Sequence, residues 1–149
     1  MYNRYRENNG GCHNGGYHNG YTNNYNQEPH KQFVPTDEVH RGAVHWVDLN
    51  NIGVKYAQKG LRPCIVVSSE RQCTSSPVIH IVPLTTSLKR TSSVTHVVLR
   101  IRELNKMSLA LCEQLTVVDR DDIQTYISDL DAIDMLQIEE AIRYAIGFK

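Results

Sequence analysis

The segment Gly60-Leu61-Arg62-Pro63-Cys64-Ile65-Val66-Val67-Ser68-Ser69 carries the clearest strand pattern in the chain. Its residues from Cys64 to Val67 are small, apolar or β-branched, which is typical of a strand that is buried on both faces. Pro63 donates no backbone hydrogen bond and therefore belongs at the first residue of that strand. Arg62 then lies at the entrance to a rigid element, where its permanent positive charge is suited to binding an anion such as phosphate. The alternative is an ordinary exposed arginine at the end of a loop.

Four further runs of apolar and β-branched residues have the character of strands joined by short polar loops. Together with the first segment they predict five strands, at residues 40–49, 61–69, 78–84, 94–101 and 108–118. Strands this short, separated by turns of about five to ten residues, favour a small antiparallel barrel. The predicted fold class is therefore mainly β, with the barrel closed or capped by a C-terminal helix.

After residue 118 the pattern changes from strand to helix. The acidic segment 119–125 predicts only a short turn, and Asp131 is suited to be the N-cap of a longer helix. Apolar residues then recur at helical spacing over residues 135–146, and Gly147 is a natural C-terminal stop. We interpret the apolar stripe as core packing, without a role in chemistry.

Residues 1–36 differ in composition from the rest of the chain, since Asn, Gly, Tyr and His dominate and aliphatic residues are nearly absent. Such a segment cannot bury enough apolar surface to offset its chain entropy, so we expect a disordered tail before one folded domain at residues 37–149. Two alternatives stay open for the tail. Its tyrosines and arginines could stack weakly on single-stranded nucleic acid. A metal could bind its thiol and imidazole groups, although their spacing matches no closed zinc site: Cys12, His13, His18 and His30.

Charge and cysteine content narrow the class of protein. Lysine and arginine balance aspartate and glutamate, 16 against 16, but residues 37–118 are mildly basic and residues 119–149 are acidic. Such an asymmetry suits an anionic ligand on one side of a domain. The four cysteines form no C-x-x-C pair, so we interpret them as reduced, small hydrophobic residues. With no run of about 18 apolar residues and no signal-peptide pattern, we expect a soluble cytoplasmic protein, with no membrane partner and with no metal site or cofactor in its folded part.

Five short motifs follow one another through residues 39–148. They are Arg41-Gly42 with Val44-His45-Trp46-Val47-Asp48-Leu49, Gln58-Lys59-Gly60-Leu61-Arg62-Pro63, Val82-Pro83-Leu84-Thr85-Thr86-Ser87, Thr95-His96-Val97, and Leu111-Cys112-Glu113-Gln114 with Val118-Asp119. Their order and spacing resemble the motifs of the MazF/PemK toxins of type II toxin–antitoxin systems. Each motif is weak alone, but five in sequence are specific, and the resemblance covers the whole predicted domain. The tail has no counterpart in this pattern.

The resemblance implies an SH3-like small antiparallel β-barrel that forms a homodimer and cleaves single-stranded RNA at short sequences, independently of the ribosome. It places the family's catalytic arginine on Arg62 and its catalytic threonine on Thr85. Residues of the motifs are then candidates to contact RNA: Gln58, Thr86, Ser87, His96, Glu113 and Gln114. The implied partners are single-stranded RNA, a cognate antitoxin protein, and operator DNA bound by the toxin–antitoxin complex.

The chemistry of RNA cleavage agrees with a pair formed by Arg62 and Thr85. RNA carries its own nucleophile, the 2′-hydroxyl, so the enzyme must orient the attack and stabilise charge that builds on the phosphoryl oxygens. Arg62 suits charge stabilisation better than proton transfer, because a guanidinium does not readily deprotonate. Thr85 would offer its hydroxyl to a phosphate oxygen. No metal is required for this reaction.

Two departures from the family pattern leave the general base open. Ala43 stands where an acidic residue is usual, and Ala57 stands where many members carry a glutamate directly before the glutamine. His96 is a candidate for proton transfer because imidazole titrates near neutrality, but a histidine on an exposed strand face is more often structural. Glu113 and Gln114 lie in the predicted fifth strand, where they could equally face solvent or form a buried polar pair.

Other functional classes stay open at this stage. A CcdB-like gyrase inhibitor has the same fold, and a degenerate toxin could act as a non-catalytic, nucleic-acid-binding regulator. The presence of both Arg62 and Thr85 favours the nuclease over these alternatives. A third possibility, a purely structural interaction domain, gains support only from the missing acid before Gln58.

Overall fold

The computed structural model describes residues 39–148, which contain seven strands and two α-helices. In chain order these are β1 (Ala43–Asp48), β2 (Leu61–Val66), α1 (Glu70–Ser75), β3 (Val78–Thr85), β4 (His96–Ile101), β5 (Lys106–Leu111), β6 (Thr116–Asp119), β7 (Ile123–Asp129) and α2 (Ala132–Ile146). Single 3₁₀ turns lie at Arg102–Leu104, Cys112–Gln114 and Arg120–Asp122. The predicted tail, with the domain boundary at residue 37, lies outside the described residues, as do its candidate metal ligands Cys12, His13, His18 and His30.

The strands form an antiparallel sheet in the order β4-β5-β3-β2-β1-β7, and β6 is added alongside β3. One edge of β3 is shared by two partners, because Leu84 and Thr85 pair with β5 while residues 78–81 pair with β6. The other edge of β3 pairs with β2. The predicted fold class, mainly antiparallel β with a C-terminal helix, is confirmed.

Between β5 and β6 the chain leaves the sheet and returns three residues out of register. Ala110 is opposite Leu84 and Thr116 is opposite Ile81, so the five residues 111–115 face only two residues of β3. The 3₁₀ turn Cys112–Gln114 takes up the three extra residues. This step moves the residues of the turn off the sheet.

Pro83 lies in the interior of β3, opposite that step. The carbonyl oxygen of His80 accepts a hydrogen bond from the Val67 amide, and the His80 amide donates to Ser68 Oγ, so both backbone groups of His80 point toward β2. Since backbone groups alternate along a strand, the missing N–H of Pro83 points to the interrupted edge. A proline is tolerated there because no ladder hydrogen bond is lost.

The central strands are buried on both faces, as the apolar pattern of β2 predicts. Ile65 packs into one layer of the core together with Ile138 of α2. Cys64 and Val66 pack into the opposite layer, which also contains Cys73 of α1. The core therefore has two layers on either side of β1, β2 and β3, and this burial holds the ends of these strands in fixed positions.

Both predicted ends of α2 are confirmed. The Asp131 carboxylate accepts a hydrogen bond from the Asp134 amide at 2.8 Å, as an N-cap does. Gly147 ends the helix at φ +80°, a left-handed conformation that favours glycine. Ile138 and Ala141 are buried, which confirms that the apolar stripe of this helix is core packing.

Three predictions about the elements are wrong. The fifth strand, expected over residues 108–118, is divided into β5 and β6 by the register step. Residues 123–129 form strand β7 instead of a turn and connection, because they find hydrogen-bond partners on β1, far away in sequence. Residues 70–75 form helix α1 instead of a loop, and Ser69 caps it by accepting a hydrogen bond from the Gln72 amide.

Candidate active site

The pairing of β2 with β3 brings Arg62 and Thr85 together. Cys64 lies opposite Pro83 in this antiparallel pair, so continuing the register by two residues sets Arg62 opposite Thr85. Residues directly opposite each other in neighbouring strands lie on the same face of a sheet. The sheet register, which the buried core enforces, therefore determines how these two side chains meet.

Arg62 and Thr85 line one cavity of about 330 Å³. Its walls come from the ends of β1, β2 and β3 and from the β4–β5 hairpin: Trp46, Leu61, Arg62, Pro63, Leu84, Thr85, Thr86, Glu103, Leu104 and Ser108. The cavity combines a permanent cation, several hydroxyl groups and a carboxylate. Cations and hydroxyl donors are the groups that bind a phosphodiester and stabilise charge developing on it.

The Arg62 side chain is held by a backbone carbonyl of the preceding loop. Its Nε donates to the carbonyl oxygen of Lys59 at 2.7 Å, and within residues 39–148 its Nη groups have no acceptor. Gly60, at φ +79°, makes the left-handed turn that leads from the preceding loop into β2. The guanidinium is thus fixed at one end while its outer nitrogens stay available to an anion.

Thr85 ends β3 with its hydroxyl oriented by the following turn. Its Oγ1 accepts a hydrogen bond from the Ser87 amide at 3.2 Å. That bond occupies a lone pair, so the hydroxyl proton stays available to a ligand oxygen. Thr86 also lines the cavity, whereas Ser87 does not and contributes through its backbone.

A second group of predicted residues gathers around the 3₁₀ turn Cys112–Gln114. Glu113 Oε1 lies 2.9 Å from His96 Nε2, and the Gln58 amide donates to Gln114 Oε1 at 2.9 Å. This turn therefore connects the start of β4 to the loop before β2. None of the four residues is among the described residues that line the cavity of Arg62 and Thr85.

Two expectations about this second group are wrong. Glu113 and Gln114 lie on a 3₁₀ turn, not within a strand, because the register step carries them off the sheet. The His96 side chain is only 7% exposed, not on an open strand face. Its Nδ1 lies 2.7 Å from the carbonyl oxygen of Arg90 while its Nε2 faces Glu113, so the ring is clamped between two acceptors.

Comparison with known proteins identifies the family. A family model described as "PemK-like, MazF-like toxin of type II toxin-antitoxin system" matches residues 40–146. The chain belongs to this family. The match extends through all five motifs and both groups of site residues.

Two relatives of this chain match it over nearly their whole length but have low sequence identity to it. The endoribonuclease MazF of Staphylococcus epidermidis is 23% identical over 111 residues, which cover 73% of this chain and 92% of that protein. The endoribonuclease EndoA of Bacillus subtilis (strain 168) is 26% identical over 111 residues, or 73% of this chain and 95% of that protein.

Solved structures share the fold. MazF from Deinococcus radiodurans superposes with a TM-score of 0.64 at 17% identity, covering 78% of this chain and 99% of that one. A mycobacterial endoribonuclease in complex with its cognate antitoxin superposes with a TM-score of 0.60 at 21% identity, covering 74% and 96%.

Among the cavity residues that carry a polar side-chain group, three were not predicted as site residues: Trp46, Glu103 and Ser108. Trp46 belongs to the first motif of the family resemblance, but the alternating pattern of that motif predicts only a strand and no role in a site. Ser108 lies at an ordinary strand position and is 2% exposed. Glu103 has no local signal, because only the β4–β5 hairpin brings it to the cavity.

The described cysteines are buried thiols of low reactivity, as expected of reduced core residues. Cys64, Cys73 and Cys112 are free and buried. Burial raises the pKa of the Cys64 thiol far above its usual range, and burial together with Glu113 raises the pKa of Cys112 to about 12. Within residues 39–148 no cluster of three or more potential ligand side chains could hold a metal ion. No helix in the described part of the chain is long and apolar enough to span a membrane.

Proposed function

We propose that this member of the toxin family is a sequence-specific, metal-independent endoribonuclease that cleaves single-stranded RNA by attack of the RNA's own 2′-hydroxyl. The observation that carries the proposal is the cavity that Arg62 and Thr85 line together, where the outer nitrogens of Arg62 have no acceptor among residues 39–148. The names of the two relatives, both endoribonucleases, support the same activity.

In this reaction the 2′-oxygen forms a bond to the adjacent phosphorus while the bond from phosphorus to the 5′-oxygen breaks. The products are a 2′,3′-cyclic phosphate and a free 5′-hydroxyl. Arg62 would stabilise the charge on the non-bridging oxygens with its two Nη groups, and Thr85 would donate to one of the same oxygens. A metal is unnecessary because the nucleophile is internal to the substrate and the cation is a side chain.

We further propose that RNA extends from this cavity toward the 3₁₀ turn. Thr86 and Ser87 would contact the nucleotides nearest to the cleaved bond, while the turn and the loop that it holds would contact a neighbouring base: Gln58, His96, Glu113 and Gln114. Glu113 and Gln114 offer base-edge acceptors and donors, the kind of contact that reads sequence in single-stranded RNA. The cleavage sequence would therefore depend on the turn more than on the cavity.

The partners follow from the family. We propose a cytoplasmic homodimer that is neutralised by a cognate antitoxin, and that the toxin–antitoxin complex binds operator DNA. Solved complexes of relatives with an antitoxin support the proposed neutralisation by an antitoxin. Light scattering on the purified chain measures the homodimer, and restored growth on co-expression with the antitoxin tests neutralisation.

Cleavage of a long single-stranded RNA in the presence of EDTA tests the activity. We expect fragments with defined 5′ ends that carry a hydroxyl. Arg62→Ala should lower kcat by about 10²–10³, as expected when a donor to a developing oxyanion is removed. Arg71→Ala is a matched control, because Arg71 is exposed on α1 and does not line the cavity.

Three results would refute the proposal. They are RNA that stays intact with the wild-type protein, cleavage that disappears in EDTA, and cleavage that Arg62→Ala leaves unchanged. Intact RNA accompanied by inhibited DNA supercoiling would instead favour a gyrase inhibitor.

A further inference from the structure

The proposed reaction needs a group that takes the proton from the attacking 2′-hydroxyl. The loop at residues 50–60, which leads to Arg62, contains no carboxylate. Arg62 itself stays protonated, and serine or threonine hydroxyls are very weak bases. The proton acceptor must therefore come from another part of the cavity.

We propose that Glu103 is this proton acceptor, an inference that rests on the proposed ribonuclease activity. Among the residues that line the cavity with Arg62 and Thr85, Glu103 is the one carboxylate and the one side chain able to accept a proton near neutral pH. Glu103 lies on the β4–β5 hairpin, whereas Arg62 lies at the start of β2.

The backbone of Glu103 is held in place by the turn that it belongs to and by the two residues that follow it. It is the middle residue of the 3₁₀ turn Arg102–Leu104. Leu104 packs against the core layer that faces α2. Asn105 adopts a left-handed conformation at φ 53°, and its amide closes the turn by donating to the carbonyl oxygen of Arg102 at 3.2 Å. Glu103 is thus exposed at its tip but carried by an anchored turn.

The Glu103 carboxylate also has no partner among the described residues. Within residues 39–148 it has no hydrogen bond or ion pair. By contrast, Glu113 lies 2.9 Å from His96, and Glu139 lies 2.8 Å from Arg41. Glu113 and Glu139 are already engaged by these partners, whereas the Glu103 oxygens are free to accept a hydrogen bond from a substrate hydroxyl.

The step is balanced as follows. The 2′-hydroxyl proton passes to a Glu103 oxygen as the bond from the 2′-oxygen to phosphorus forms. The bond from phosphorus to the 5′-oxygen breaks, and the 5′-oxygen takes a proton from solvent water. Glu103 then releases its proton to water and is ready for another cycle. Arg62 and Thr85 hold the phosphate throughout.

Single-turnover cleavage by Glu103→Gln tests the inference, since the amide keeps the shape of the side chain but cannot act as the base. General-base catalysis is typically worth about 10²–10⁴ in rate, so we expect the cleavage rate to fall by that factor with KM nearly unchanged. Added formate should partly restore cleavage by Glu103→Ala. Glu140→Gln, which changes an exposed glutamate of α2 outside the cavity, is the matched control.

A rate for Glu103→Gln within threefold of wild type overturns the inference, provided that the wild type cleaves RNA. A failure of the wild type to cleave refutes the ribonuclease proposal itself, so the two failures are distinguishable. Thermal melting of each variant separates lost chemistry from lost folding, and Glu103→Asp, which keeps a carboxylate, should retain more activity than Glu103→Gln. A large loss of cleavage rate in Glu113→Gln, together with full activity in Glu103→Gln, would assign the role of proton acceptor to the pair of Glu113 and His96 instead.

Discussion

Replacing Gln114 with methionine should loosen the segment around Gln58 in the loop at residues 50–60, while Ile52 of the same loop stays packed against the core. The Gln58 amide donates to Gln114 Oε1 at 2.9 Å. Within residues 39–148, the other hydrogen bonds of this loop stay within the loop or join it to its flanking residues 48–49 and 62. Among the described residues, the loop therefore has a single hydrogen bond to a distant part of the chain, and Gln114→Met removes it.

The size of the effect follows from the net free energy of such a bond. An intramolecular hydrogen bond contributes about 0.5–1.5 kcal/mol, which corresponds to about a 2- to 13-fold change in an equilibrium constant. We expect the opening equilibrium of the loop to shift by that factor, because methionine fills the space of glutamine without accepting the bond. Overall stability should change little, since both residues are only partly buried.

Amide hydrogen exchange at Gln58, followed by NMR, measures the shift directly. The protection factor should fall by about 2- to 13-fold in Gln114→Met and stay near wild type in Gln114→Glu, which keeps an oxygen in the same position. If Gln58 also contacts RNA, KM should rise by a similar factor with kcat unchanged. Equal Gln58 exchange in wild type and Gln114→Met would refute the reasoning, and so would loss of protection in Gln114→Glu.

Two further predictions concern the core. Ile138→Ala should lower the free energy of unfolding by about 2–5 kcal/mol in urea denaturation, because Ile138 is fully buried between α2 and the sheet. The control Ile133→Ala changes an exposed residue of the same helix and should alter the free energy of unfolding by less than about 0.5 kcal/mol. Equal effects of the two substitutions would contradict the described packing of α2. Iodoacetamide at pH 8 should leave Cys64 and Cys112 unmodified in the native protein and modify them in urea, because burial raises the pKa of both thiols and the thiolate is the reactive form. Mass spectrometry of the peptides reads each site separately, and native labelling of Cys112 would show that its surroundings are more open than described.

What the sequence predicted well is local in origin. The β2 pattern depends on a few consecutive residues, and the caps of α2 depend on Asp131 and Gly147, which act on their own turns of the helix. What it missed depends on distant partners. Strand β7 forms because β1 supplies its hydrogen bonds, and the apolar run after Ser108 hides the step that divides β5 from β6.

The same distinction between local sequence patterns and distant contacts applies to the candidate site. Arg62 and Thr85 were found because short motifs resemble those of a known family, and the sheet register then explains why they meet. Glu103 was missed because its position depends on the β4–β5 hairpin, which folds a residue with no motif of its own against β2 and β3. The burial of His96 could not be predicted either, since its two acceptors come from Arg90 and from the 3₁₀ turn.

The interruption beside Pro83 leaves the outer residues of the turn, Glu113 and Gln114, open to replacement, whereas Cys112 is fully buried in the core layer that faces α2. Because proline offers no N–H to that edge of β3, exchanging Glu113 and Gln114 alone would break none of the paired positions that flank the turn. The exchange would alter the groups presented to His96 and Gln58 while the register that joins Arg62 to Thr85 stays intact. A library of such variants on one scaffold would test whether the proposed RNA preference varies separately from the proposed cleavage.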